Sequence, residues 1–101
     1  MDIIVKDDDS QKVFLTEDTL DVVDILKEHY PYILKSINDE DFPLKYDECN
    51  LFKELLYDRK VVGFCSYDFS REFITASLNN IYVLPSYRGN NLFLKRKISI
   101  A

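Results

Sequence analysis

The period of the hydrophobic pattern changes along the chain, and each change marks an element. Short apolar runs at Asp2–Lys6 (DIIVK) and Lys12–Thr16 (KVFLT) flank the polar stretch Asp7-Asp8-Asp9-Ser10-Gln11. That alternation predicts two strands around a turn. Thr16 has the chemistry of a helix N-cap, and Glu17 and Asp18 follow where the helix dipole favours acids. Leu20, Val22, Val23, Ile25, Leu26 and Tyr30 then fall mostly on one helical face, with Asp21, Asp24, Lys27 and Glu28 opposite. Pro31 stops or kinks this helix, and Tyr32–Ile37 predicts a shorter second one before the breaker-rich stretch 38–43.

From Leu51 the texture turns to aromatic and β-branched residues. Leu51–Tyr57, the turn Asp58-Arg59-Lys60 and Val61–Phe69 predict a hairpin. A further turn at Ser70-Arg71-Glu72 leads into a third strand, Phe73–Val83. This strand has apolar residues at Ile74, Ala76 and Leu78, then at Ile81 and Val83. Its phase slips by one residue across Asn79-Asn80. Either a β-bulge lies there or Asn80 faces solvent on an edge strand. Two hairpins in series with helices on one face predict an α+β domain, a mostly antiparallel sheet with N-terminal helices packed on it.

Length and composition narrow the classes. With 101 residues, 47% of them hydrophobic, one domain spanning 1–101 is expected, with a core that needs no staples. No apolar run approaches twenty residues, and Asp2 is out of keeping with the basic start of a signal peptide, so a cytoplasmic protein without membrane contact is expected. Cys49 and Cys65 lie 16 apart and match no metal knuckle, so with His29 as the one histidine no metal site is expected. Counting a calcium loop from Asp7 puts Lys12 where glycine is needed and Asp18 where glutamate is needed, which excludes that reading. His29 has no Ser or Cys nucleophile pairing around it and reads as structural.

The net charge of −5 hides a division. Residues 1–58 hold 16 acids and six bases, whereas residues 59–101 hold two acids and seven bases. An acidic chain of this kind is a poor general binder of nucleic acid. Its basic end suits a small polyanion such as a nucleotide, or else reflects bases gathered at a helix C-terminus. Pro85 ends the third strand, Arg88-Gly89-Asn90-Asn91 forms a polar turn, and Leu92-Phe93-Leu94 opens a helical stretch. Strand, tight turn and helix N-terminus in that order present free N–H groups to a phosphate, and Arg88 can add paired donors.

Ile81-Tyr82-Val83-Leu84-Pro85-Ser86-Tyr87-Arg88-Gly89 resembles the acetyl-CoA signature of the GNAT superfamily of N-acetyltransferases, a strand ending V-x-P-x-Y-R-G before a glycine loop and a helix. The resemblance implies a GNAT-like half-fold ending in the cofactor-loop helix, with acetyl-CoA as cosubstrate and an amine of unknown identity as acceptor. It implies that main-chain groups near Ile81 and Val83 bond the pantetheine arm. The loop amides of Arg88, Gly89, Asn90, Asn91, Leu92 and Phe93 would hold the pyrophosphate. Lys95, Arg96 or Lys97 would meet the outlying phosphate or simply end the helix.

Asn91 stands where that family favours Gly, and Phe93 where it favours Gly or Ala. Asn tolerates unusual backbone angles, so weakened rather than abolished binding is expected. The family's usual strand glutamate has Asn79 and Asn80 in its place, and neither amide takes a proton at neutral pH, so the catalytic residues stay unassigned. The ten residues from Leu92 to Ala101 suit a helix and are too few for a parallel return strand. The chain is therefore read as the N-terminal part of a GNAT-like domain, truncated and inactive alone or active once complete. An open strand edge at 81–83 would then drive a homodimer or be covered by the chain's own C-terminal residues. The alternative function is a non-catalytic binding or interaction domain on the same scaffold, with Asp21, Asp24 and Glu28 facing a basic partner.

Overall fold

Strand pairing follows the order of the chain. The computed structural model describes the backbone of residues 2–6 and all of residues 11–88. Strands β1 (Asp2–Lys6), β2 (Lys12–Asp21), β3 (Glu48–Tyr57), β4 (Lys60–Ser70) and β5 (Thr75–Val83) form one antiparallel sheet in the order β1-β2-β3-β4-β5. Helices α1 (Val22–His29) and α2 (Pro31–Glu40) are inserted between β2 and β3, and a single 3-10 turn, Pro85–Tyr87, follows β5. The fold is α+β, as the periodicity predicts.

The start of the first helix differs from expectation. Thr16 does not cap it. Strand β2 runs on to Asp21, whose carboxylate accepts from the Asp24 N–H at 3.1 Å and makes Asp21 the N-cap. The Thr16 hydroxyl accepts instead from the Asp18 N–H at 3.2 Å. Pairing with β3 is responsible: Leu20 lies opposite Cys49 and Asp21 opposite Glu48 after a register shift, and the Val22 N–H donates to the Asp47 carbonyl at 2.8 Å. A ladder that buries Leu20 outweighs the local capping preference of a Thr.

Pro31 stops one helix and starts the next. Its missing N–H costs nothing at the first helical position, so α2 begins there and reaches Glu40, beyond the expected end at Ile37. Asp41 closes it with a left-handed φ of 56°. At the β3–β4 turn Asp58 and Arg59 have φ of 53° and 65°, the two-residue hairpin geometry that matches strand twist. The β4–β5 turn takes up Phe73 and Ile74, so β5 starts at Thr75 rather than Phe73.

A row of rings crosses the sheet beneath the helices. Phe14 on β2 meets Phe52 on β3 edge-on at 5.7 Å, Phe52 stacks on Phe64 of β4 at 5.0 Å, and Phe64 stacks on Tyr82 of β5 at 6.4 Å. Val22, Ile25, Leu26, Tyr30, Ile33 and Ile37 from the helices close over this row. Each buried aliphatic or aromatic side chain contributes roughly 1.5–3 kcal/mol by leaving water, so this layer holds helices and sheet together. Glu54 lies buried within it, one carboxylate oxygen accepting from the Tyr30 hydroxyl and the other from the Lys12 N–H at 2.7 Å. Burial and that carboxylate push the Tyr30 phenol far above its ordinary range, so it stays a donor. A smaller cluster, Leu55, Val62 and Cys65 with Tyr57, Tyr67, Val83, Leu84 and Tyr87 beside it, occupies the other face.

Val62 is an extra residue in β4, between the pairs Leu55–Gly63 and Leu56–Val61. Next to this bulge the Gly63 backbone runs against that of Tyr82, and a Cβ there would collide with the Tyr82 carbonyl. The obstacle is backbone, which cannot rotate away. Gly63→Ala is therefore expected to cost about 2 kcal/mol and lower the melting temperature by about 10 °C. A thermal melt matching that of the unsubstituted chain would show that the two strands have room to part.

Candidate functional site

The outer edge of β5 is set by the alternation of its ladder. The Leu84 N–H donates to the Val62 carbonyl at 2.8 Å, so Leu84 faces β4 with its main chain. In an antiparallel pair such residues alternate with residues whose main chain faces away. Tyr82 and Asn80 therefore also face β4, whereas Ile81 and Val83 turn their N–H and C=O groups outward. Among the described residues β5 pairs with β4 alone, so no described strand meets that outer side. Both positions singled out from the sequence for the pantetheine arm lie there.

The phase slip is a bulge. Ser66 pairs with Asn80 and Tyr67 with Leu78, which leaves Asn79 as the extra residue. Asn80 is buried, not solvent-facing. Its Oδ1 accepts from the Lys45 N–H at 2.7 Å, while its Nδ2 donates to the Tyr46 carbonyl at 2.7 Å and to Ser66 Oγ at 3.0 Å. Asn79 Nδ2 donates to the Glu48 carbonyl at 3.4 Å. Asn80 thus ties the segment between α2 and β3 to the bulge, and Asn79 ties the first residue of β3 to it. Neither can serve as a general base.

Arg88 is engaged within the protein. Its Nε donates to the Val83 carbonyl at 2.7 Å, and its two terminal nitrogens grip the Glu40 carboxylate at 2.5 and 3.0 Å. The guanidinium lies over the Tyr82 ring, 5.0 Å from its centre. Its main-chain N–H donates to the Pro85 carbonyl at 3.1 Å and closes the 3-10 turn. Glu40 accepts in addition from the Tyr82 hydroxyl at 2.7 Å, and the same hydroxyl is 2.6 Å from Ser36 Oγ. The Arg88 fork, and after it the Tyr82 hydroxyl, hold the Glu40 carboxyl below its usual range.

Gly89, Asn90, Asn91, Leu92 and Phe93, the rest of the expected pyrophosphate loop, lie outside the described residues, as do Lys95, Arg96 and Lys97 and the turn at 7–10. Ser36, Glu40 and Tyr82 were not singled out by sequence reasoning. The i,i+4 spacing of Ser36 and Glu40 places both on one face of a helix, which is the signal that could have found them once α2 was known to reach residue 40. Cys49 and Cys65 are buried and form no disulfide, and burial pushes the Cys49 thiol up to about 11. His29 rests its ring against Phe14 at 5.1 Å. No group of His, Cys, Asp and Glu among the described residues could hold a metal ion.

Residues 19–92 match the acetyltransferase (GNAT) family. The chain belongs to it. The GNAT match opens at the end of β2 and takes in both helices, β3, β4, the bulged β5 and the start of the segment after it. No curated protein and no solved structure matches this GNAT chain significantly. Among its described residues no helix is long and apolar enough to cross a membrane.

The lowered Glu40 titration has a definite sign. A carboxyl whose folded pKa lies below its unfolded one stabilises the fold above the ordinary carboxylate range, and that contribution fades as pH falls through it toward the folded value. The melting-temperature gap between the natural chain and Glu40→Gln is expected to narrow as pH is lowered from about 7 to about 3. A gap that stays constant over this range would mean that Arg88 and Tyr82 do not favour the ionised form.

Proposed function

We propose that this GNAT chain binds acetyl-CoA along the outer edge of β5 and that the site serves acetyl transfer to an amine. The observation that carries the reading is the outward main chain of Ile81 and Val83, beside the Asn79 bulge and immediately before Arg88 and Gly89. An extended pantetheine arm is long, amide-bearing and flexible, and it can pair with such an edge as an added strand does. Gly89, Asn90, Asn91, Leu92 and Phe93 are assigned to the diphosphate by their place in the motif alone.

In the transfer, the acceptor nitrogen adds to the thioester carbonyl carbon. The C–S bond then breaks, the acetyl group stays on nitrogen, and the coenzyme leaves as thiolate and takes up the proton that the nitrogen loses. A direct attack fits this chain, since both cysteines are buried and the Cys49 thiol is held protonated. Holding thioester and amine together supplies rate by proximity, and outward N–H groups at the bulge can polarise the carbonyl.

A second reading draws on Asn79 and Asn80. Neither is a base, and both amides are spent on the backbone of residues 45–48, which favours an acyl-CoA-binding or interaction domain without turnover. Its acidic surface would be Asp21, Asp24 and Glu28, all exposed around α1.

Titration with acetyl-CoA should shift the amide resonances of Ile81 and Val83 saturably. Val83→Pro removes one outward N–H without touching a β4 ladder bond, and should weaken binding about tenfold. Unmoved resonances at millimolar acetyl-CoA would sink acetyl-CoA binding in both readings and leave only the interaction domain of the second. Binding without acetylation of any amine tested would leave the second.

A further inference from the structure

We infer that Glu40, on α2, is a positioning residue for the exit of β5: it holds the Arg88 guanidinium as an anchor, so that this group does not itself grip the diphosphate. The inference rests on the acetyl-CoA reading above and assigns a role within the same site.

The accounting of donors supports it. Arg88 Nε is spent on the Val83 carbonyl, and the forked face of the guanidinium is filled by both oxygens of Glu40. These are the donor faces that grip a phosphate with paired bonds, and here they already serve a carboxylate. The Arg88 amide is also taken, by the Pro85 carbonyl. An anion approaching the guanidinium would have to displace Glu40 or meet its negative charge.

The pair is well built for anchoring. Glu40 is itself fixed by the hydroxyl of Tyr82, a ring buried among the helices and the sheet, and that hydroxyl is braced by Ser36 one turn earlier on α2. The guanidinium rests on the same ring. Helix, core and the exit of β5 are thereby joined at one point, five residues after the last outward-facing residue of the strand. Lysine could supply the charge there but neither the fork nor the second bond to Val83.

The test compares acetyl-CoA affinity and its salt dependence for Glu40→Gln, Arg88→Gln, Arg88→Lys and the double variant, well below their melting temperatures. Anchoring predicts that each single change weakens binding by about tenfold, that the double variant is no worse than either, and that Arg88→Lys does not rescue. It predicts an unchanged salt dependence in Arg88→Gln, since a charge already neutralised by Glu40 adds little to the field at the ligand. Tighter or unchanged binding in Glu40→Gln, together with weaker binding and a shallower salt dependence in Arg88→Gln, would overturn it in favour of a direct phosphate contact. If the natural chain binds no acetyl-CoA, the functional reading falls separately. The anchor is then judged by hydrogen exchange at the amides of Tyr87 and Arg88. Faster exchange in both Glu40→Gln and Arg88→Gln supports it, and unchanged exchange overturns it.

Discussion

In the β4–β5 ladder Asn79 stands without a partner between the Ser66 and Tyr67 pairings, and the side chains before and after it fall on different phases. Past the bulge, Asn80 and Tyr82 turn inward beneath the helices while Ile81 and Val83 turn their main chain away from β4. Shifting the phase by one residue exchanges the two sets, so every feature of the candidate site depends on that surplus residue. Bulges persist where something compensates for the ladder bond they forfeit. Here the two asparagine side chains replace it with bonds to the backbone of residues 45, 46 and 48.

Tyr82 links the core to the edge. Its ring ends the aromatic row that begins at Phe14, and its hydroxyl reaches Glu40 and Ser36 at the end of α2. Apolar burial fixes where the hydroxyl sits, and the hydroxyl fixes the carboxylate that grips Arg88. A polar group placed in this way costs little to hold, because the packing around its ring is needed in any case. The buried Glu54 carboxylate plays a comparable part on the other side of the helices, satisfied by Tyr30 and by the start of β2. Stability and site geometry are therefore carried by the same rings.

Much of the fold was legible in the residues. Apolar runs and aromatic or β-branched stretches marked the strands and the Asp58-Arg59-Lys60 turn, and period-2 alternation in the last strand marked the slip across Asn79-Asn80, because such burial leaves a direct trace in hydrophobicity. The motif from Ile81 to Gly89 pointed to the family that the match over residues 19–92 establishes. Less visible was the beginning of α1. Thr16, Glu17 and Asp18 are good helix-start chemistry, and only the pairing of Leu20 with Cys49 keeps the chain extended to Asp21. Burial in β5 was misleading as well, since Ala76 and Leu78 are exposed while Asn79 and Asn80 are not.

The sequence by itself determined an α+β meander, the element order and the acetyl-CoA-type motif, since these rest on local periodicity and on residues adjacent in the chain. Tertiary structure alone decided that Arg88 meets Glu40, that Asn80 braces Lys45 and Tyr46, and that Ile81 and Val83 present their main chain outward. Glu40 and Arg88 are 48 residues apart, and Asn80 and Lys45 are 35 apart. No local pattern encodes such partners. They are brought together by strand register and helix packing, each of which is fixed by the summed burial of side chains drawn from the whole sheet.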